Sequence, residues 1–376
     1  MRKLFLVVVL AELFFSISYG DFGSDSEGIF GFNPISKMDE KKSGKPISVD
    51  NLCPTMSQDT IGICFGEVSS LLLTAENCRQ LKSDCTKINP NKIFSPLYLS
   101  RFQNQAAEGS EDSLDAFGGF VTEEGGRTAN VLEAVAYKMG FSPSDECISL
   151  DKILSKIGGS NPSSDMALAQ KTMWKQLKET YDNLHNCPTC LNDIYTSGKD
   201  SSDDFIRKNF NINKTNQEIL SAFAQDTYGK FLEELLTPKE CLRVSKGVVF
   251  EGYKKTKVER YPPANEKKDG NYQEAITKIK AVLSEGRPLS LNGLCLDEIP
   301  QEGTKCKSRH AIAIAGYRKI CSSTGDCYDA VKVINSWGQA WQDKNSDGWV
   351  KAKDLLDRTF YKPSTLVWFS DKKNEN

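Results

Sequence analysis

Gln58-Asp59-Thr60-Ile61-Gly62-Ile63-Cys64-Phe65 is the stretch on which the fold of this chain turns. Val68, Leu71 and Leu72 follow Cys64 at helical spacing, and Glu67 falls in the first turn, where a carboxylate suits the helix dipole. The spacing predicts a helix that starts at or just before Cys64. A thiol so placed is a candidate nucleophile, because the dipole and free N–H groups of a helix N-terminus favour the thiolate. Nucleophilic catalysis also needs a base, usually an imidazole oriented by a third group, and an oxyanion donor close to the sulfur. The chain has two histidines, His185 and His310. His185 lies beside Cys187, whereas His310 opens the strand-like run Ala311-Ile312-Ala313-Ile314-Ala315-Gly316-Tyr317, which makes His310 the better candidate base.

These residues resemble a known family. A Gln (Gln58) six positions before a Cys that opens a helix and precedes an aromatic residue is similar to the signature of the papain-like cysteine peptidases. His310-Ala311 running into Gly316-Tyr317 resembles that family's catalytic-histidine strand, and Ile334-Asn335-Ser336-Trp337-Gly338 with Trp341 resembles its Asn-Ser-Trp-Gly motif. Ser95-Pro96-Leu97-Tyr98-Leu99 and Gly125-Gly126 occur in the expected order between them. The resemblance implies Cys64 as nucleophile, His310 as general base and acid, and Asn335 orienting the imidazole. It implies Gln58 with the Cys64 N–H as the oxyanion hole, and Trp337 shielding the Asn335–His310 hydrogen bond from water. It further implies an α+β, papain-like two-domain fold, with a helical left domain and an antiparallel, β-barrel-like right domain.

Two departures stand out. The family often has a second cysteine three residues before the nucleophile, where this chain has Ile61. Cys64 and His310 are also much farther apart than the family's core requires, and a large helical insertion accounts for the difference. The expected organisation is a signal peptide over 1–20, a flexible leader over 21–48, a left domain over 49–148, the insertion over 149–244 and a right domain over 245–376. The insertion shows two helical stripes, Met173, Leu177, Tyr181 and Leu184, then Ile219, Phe223, Phe231 and Leu235, the second opened by a Thr215/Glu218 capping box. The Ser/Asp-rich stretch from Thr196 to Asp204 between them reads as a loop. Tyr272, Ile276, Ile279 and Leu283 make a further helix that Gly286 can end, and Leu289–Leu291, Ala311–Ala315 and Ala330–Ile334 read as buried strands.

Composition sets the boundaries. With 48 Lys and Arg against 50 Asp and Glu, the formal charge of -2 gives no overall basic field for nucleic acid or an anionic membrane. The one long apolar run, Leu4 to Phe15, follows Arg2 and Lys3, contains Glu12 and leads into Ser18-Tyr19-Gly20. It is short for a membrane span and reads as a secretory signal peptide cleaved near Gly20, so no stable membrane span is expected and the protein is read as exported, secreted or periplasmic. Twelve cysteines fit an oxidising destination. Close spacing suggests Cys78–Cys85, Cys187–Cys190, Cys295–Cys306 and Cys321–Cys327. If Cys64 is the nucleophile it stays reduced, and at least one of Cys53, Cys147 and Cys241 lacks an intramolecular partner.

Other motifs weigh less. Asp343, Asn345, Asp347 and Asp354 have the oxygen-ligand spacing of a calcium loop, D-x-N-x-D-G with an acid at the twelfth position, against the plainer reading of a solvated turn before a strand. No other cofactor is expected. Cys187-Pro188-Thr189-Cys190 beside His185 reads as a plain disulfide rather than half a zinc site. Asn213-Lys214-Thr215 matches a glycosylation sequon, meaningful only in a eukaryotic secretory route, and reads rather as a helix-start loop, and Lys254-Lys255-Thr256-Lys257 reads as a solvated basic face. The leading function is an exported papain-like cysteine endopeptidase that acts on a protein or peptide substrate through a Cys64 thioester, with the 149–244 insertion available to a protein inhibitor or partner. The alternatives are a catalytically silent papain-fold binding protein, and a thioester-forming transpeptidase or cell-wall peptide hydrolase.

Overall fold

The computed structural model describes residues 32–36, 44–55, 57–58, 61–103, 119–121, 125–159, 164–187, 189, 201–265, 268–298, 306–321 and 325–372. The signal peptide expected over 1–20 and the first part of the leader lie outside these residues. So does Cys190 of the pair expected with Cys187.

A single helix, α1 (Cys64–Leu81), runs through the middle of the molecule and is buried without interruption from Cys64 to Cys78. It begins at Cys64, as its spacing predicts. A helix buried on every side needs partners for its polar side chains. Ser69 Oγ and Ser70 Oγ donate to the carbonyls of Phe65 and Phe94, and Asn77 bridges the backbone of Val249 and Glu251. Glu76 meets Arg287 at 3.1 Å with both side chains almost fully buried. Burial pushes the Glu76 carboxyl up, but hydrogen bonds from Arg79 and Arg287 outweigh it and hold the group below its ordinary range. Removing one partner from such a pair costs roughly 3–5 kcal/mol, because the other charge is left buried alone.

On one side of α1 lies a seven-stranded antiparallel sheet in the order β4 (Thr256–Tyr261), β9 (Leu366–Asp371), β5 (Leu289–Cys295), β6 (Arg309–Cys321), β7 (Cys327–Ile334), β8 (Trp349–Lys351), with β1 (Ile47–Ser48) added to β6. Strand alternation explains how β6 is buried on both faces. Ala311 and Ala313 pack into the cluster around α1, while Ile312 and Ile314 pack into the cluster around the helix Tyr272–Ser284. The small alanines let α1 approach the sheet. β6 and β7 are antiparallel with Ala313 opposite Ile334, so the start of β6 and the end of β7 lie at the same edge, bringing His310 and Asn335 together.

The helices of residues 149–244 complete the α1 cluster: α2 (Ser164–His185), α3 (Ser201–Asn209), α4 (Asn216–Phe223) and α5 (Tyr228–Leu236). Met173, Leu177, Tyr181, Phe223, Phe231 and Leu235 are buried in that cluster, as their spacing predicts. The second stripe is nevertheless two helices, because Thr227 caps a fresh start at Tyr228. Ser201 to Asp204, expected in a loop, belong to α3. The capping box of Thr215 and Glu218 is present in full. The chain enters this block beside β2 (Phe141–Pro143) and leaves it beside β3 (Gly247–Val249), which pair with each other, and Cys147–Cys241 joins the two ends at a Cα separation of 5.7 Å. The bonds Cys78–Cys85, Cys295–Cys306 and Cys321–Cys327 also form, leaving Cys53 and Cys64 free and buried.

Part of the expected flexible leader is held in place. Phe32 and Ile35 are core residues, at 2% and 3% exposure. Ile35 N donates to the Trp349 carbonyl, Lys351 N donates to the Asn33 carbonyl, and Pro34 bridges Val350. The free edge of β8 supplies the backbone groups that this segment needs. Farther along, Ile47 and Ser48 pair with Tyr317 and Gly316 of β6. Among the described residues, no helix is long and apolar enough to cross a membrane.

Candidate active site

Cys64 is the first residue of α1 and His310 the second of β6, and the thiol lies against that strand. Burial raises the Cys64 pKa to about 11, the N–H groups of Ala311 and Phe65 pull it down, and Glu67 one turn along pushes it up. His310 is 3% exposed, and burial lowers its pKa to about 4 against the opposing hydrogen bond to Asn335. Burial thus disfavours the charged form of both groups.

His310 Nε2 and Asn335 Oδ1 are 2.8 Å apart. An amide oxygen only accepts, so with this orientation Nε2 carries the proton and Nδ1 keeps its lone pair. Trp337 covers the imidazole, its ring 4.8 Å away and inclined by 18°. The loop holding Asn335 is braced from below. Asn335 N donates to Gln342 Oε1 at 3.1 Å, and Gln342 Nε2 donates to the Val333 carbonyl at 3.0 Å. Asn335 Nδ2 is buried and makes no hydrogen bond.

Gln58 is reached from the same loop. Its N–H donates to the Ser336 carbonyl at 2.9 Å, Ser336 Oγ donates to Gln58 Oε1 at 2.5 Å, and Gln58 Nε2 donates to the Ile61 carbonyl at 2.9 Å. Ser336 thus fixes the oxygen end of the amide, and Nε2 has a second N–H beyond the one given to Ile61. The structure thus brings Cys64, His310, Asn335, Gln58 and Trp337 into one neighbourhood. Thr128 Oγ1 donates to Asn292 Oδ1 at 2.8 Å, linking the helical side to β5. Gly126 passes so close to Phe65 that a Cβ would lie 2.6 Å from its ring, which accounts for a glycine there.

The calcium spacing is not realised. Asp343 Oδ1 accepts from Gln339, Asp347 Oδ2 pairs with Lys332, and Asp354 Oδ2 accepts from Asn33, while Asn345 Nδ2 donates to the Trp341 carbonyl. Asp343 lies in the helix Gly338–Lys344 and Asp354 in the helix Ala352–Asp357, so the acids turn toward separate partners. Gly348 serves packing instead: at φ +79°, a Cβ there would lie 2.1 Å from the Val333 carbonyl oxygen. Among the described residues, the cluster that could hold a metal by proximity is Cys295, Asp297 and Cys306, but its cysteines are bonded to each other and Asp297 accepts the Lys307 and Ser308 N–H groups. His185 stacks on Tyr181 at 5.2 Å within α2.

Ser336 and Gln342 escaped the sequence reading as supporting residues, although both lie in or just after the motif. A polar side chain one turn past a tight Asn-containing loop is the signal that marks Gln342. Phe32 gave no signal, because its contacts are remote in sequence.

No family model matches the chain, and no curated protein matches it. Among solved structures it is similar to the SERA5 proenzyme from Plasmodium falciparum, at TM-score 0.41 and 11% identity over 93% of this chain and 72% of that one. It is similar to xylellain, a cysteine protease from Xylella fastidiosa, at TM-score 0.40 and 12% identity over 93% of this chain and 100% of that one. A recombinant stem bromelain precursor gives TM-score 0.36 and 12% identity over 93% and 77%. Likeness at this level carries nothing about chemistry.

Proposed function

We propose that the protein is an exported papain-like cysteine endopeptidase, built as two facing parts with Cys64 on the helical side and His310 with Asn335 on the sheet side. The observation that carries this reading is the Asn335–His310 hydrogen bond under Trp337, beside a strand whose Ala311 N–H acts on the Cys64 thiol. An imidazole with Nε2 tied to an amide oxygen has Nδ1 free to take a proton from a thiol. The Cys64 sulfur then attacks the peptide carbonyl carbon. The oxygen becomes an oxyanion that the Gln58 Nε2–H and the Cys64 N–H stabilise, and His310 returns the proton to the leaving amine as the thioester forms. Water, activated by His310, hydrolyses the thioester and restores the thiol. Burial disfavours the thiolate and the imidazolium alike, so polar groups of the substrate or water entering the seam would favour charge separation.

The domain limits belong to this reading: 49–148 and 245–376 form the catalytic body, and 149–244 is an insertion closed at its base by Cys147–Cys241. The test is peptide hydrolysis with product masses. Cys64→Ala abolishes hydrolysis while the protein stays folded, and Gln58→Ala leaves an enzyme slower by about two to three orders of magnitude. Full activity in the Cys64→Ala protein overturns the reading. Transfer of the acyl group to an added amine in preference to water would favour a transpeptidase.

A further inference from the structure

The segment Phe32–Ser36 is held along its length by bonds that do not involve the catalytic residues. Ile35 N meets the Trp349 carbonyl at 3.1 Å, Asn33 Nδ2 meets Asp354 at 2.7 Å, and Ser346 Oγ meets the Ile35 carbonyl at 3.2 Å. Ile35 is buried with Ile320, Ala330 and Trp349. What this anchoring delivers is Phe32, whose ring lies 5.6 Å from Trp337 and 5.2 Å, edge-on, from Trp341. Trp341 in turn meets Trp337 edge-on at 5.8 Å. Three rings thus interlock, and the Trp337 member lies flat on His310.

Trp337 is held at its backbone by a bridge to Ser57, and its ring packs against Phe32 and Trp341. It belongs to a loop, between the end of β7 and the helix Gly338–Lys344, and it is only half-buried. Losing the Phe32 ring removes an aromatic contact from the indole, which gives the shield over the Asn335–His310 bond more freedom to tilt. We propose that Phe32 is a positioning residue for the reaction proposed above, delivered by the N-terminal strap to fix Trp337 on the His310 ring. The inference rests on the peptidase reading for its consequence, but its geometry is testable without it. It also makes the stretch expected to be a flexible leader a working part of the centre, so trimming the chain beyond residue 32 would alter the imidazole.

The test uses the only two histidines of the chain. The ring C–H signals of His185 and His310 are followed by NMR through a pH titration in the full chain, with His310→Gln assigning them. The same titration is run on Phe32→Ala, Phe32→Leu and Phe32→Tyr. In the Ala and Leu variants the His310 midpoint moves up from about 4 toward its ordinary 6.5 as water reaches the ring, while His185 is unmoved. Phe32→Tyr, which restores the ring, stays at the wild-type midpoint. The rate of Cys64 labelling by a thiol-reactive epoxide falls about three- to tenfold in the Ala variant and recovers in the Tyr variant. If Phe32→Ala does not fold, Ile35→Ala, which loosens the strap away from the indoles, moves the His310 midpoint in the same direction. A folded Phe32→Ala or Ile35→Ala protein whose His310 titration is unchanged overturns the proposal. A wild-type protein inert to the epoxide speaks against the peptidase reading, and the titration still decides the role of Phe32.

Discussion

The seam between α1 and the sheet and the helical block of residues 149–244 are held together by different forces. At the seam, buried polar groups cross from one side to the other: Gln58 to Ser336, Thr128 to Asn292, Glu76 to Arg287. In the helical block the aromatic packing dominates, with Trp174 edge-on to Phe210 at 5.4 Å and Phe223 against Phe231 at 4.7 Å, and the buried polar groups Gln170 and Lys214 donate to carbonyls of the same block. Burying polar groups yields less stability than burying apolar ones, and a half-satisfied pair is costly. A chain keeps such groups in its interior where they set geometry that apolar packing cannot specify. The contrast teaches what each region's polar groups are for: at the seam they join two sides of the molecule, including an amide and an imidazole, and in the helical block they satisfy carbonyls of the block itself.

The sharpest way to expose that cost is pH. His310 is buried with its pKa lowered from 6.5 to about 4, so between these values the unfolded chain binds a proton that the folded chain does not. Its contribution is fully present above pH 6.5 and is lost as pH falls through about 4, amounting to about 3 kcal/mol. Asp145 acts with the opposite sign, since burial raises its carboxyl from 3.8 to about 6. Denaturant midpoints are therefore compared between wild type and His310→Gln. The variant is expected to lose less stability on acidification, and parallel curves would remove the seam's distinction.

A smaller effect tests the other region. Thr215→Ala removes the capping-box hydroxyl of α4 and should cost about 1 kcal/mol, read as faster local hydrogen exchange over 216–236. The rate of Cys64 labelling should not change. A Thr215→Ala protein with normal exchange but slowed labelling would mean that the two regions are not separable in this way.

What could be read from sequence follows the range of the interactions. Cys64 at a helix start and His310 opening β6 were legible because each depends on residues within a turn or a strand of itself, whereas Asn335 was singled out by the resemblance of its motif. The short-span disulfides Cys78–Cys85, Cys295–Cys306 and Cys321–Cys327 were legible for the same reason, whereas Cys147–Cys241 spans 94 positions and left no local trace. The strap escaped because Phe32 looks like any apolar residue in a polar stretch until β8 offers it an edge. The calcium spacing misled because a glycine after acids has two uses. Here Gly348 is required by the close approach of the Val333 carbonyl, and its acidic neighbours each found another partner.

The central claim is that Cys64, and not merely a buried cysteine, is the reactive group. Cys53 supplies the internal comparison: it too is reduced and buried, its thiol raised to about 12, but it opens no helix. The direct measurement is to treat the native protein with a thiol-reactive epoxide that traps papain-like enzymes and to locate the adduct by peptide mass spectrometry. Stoichiometric labelling of Cys64, with none at Cys53, that is lost in His310→Ala and on denaturation is the predicted result. Equal labelling of both cysteines, or labelling of Cys64 that survives His310→Ala unchanged, would contradict it.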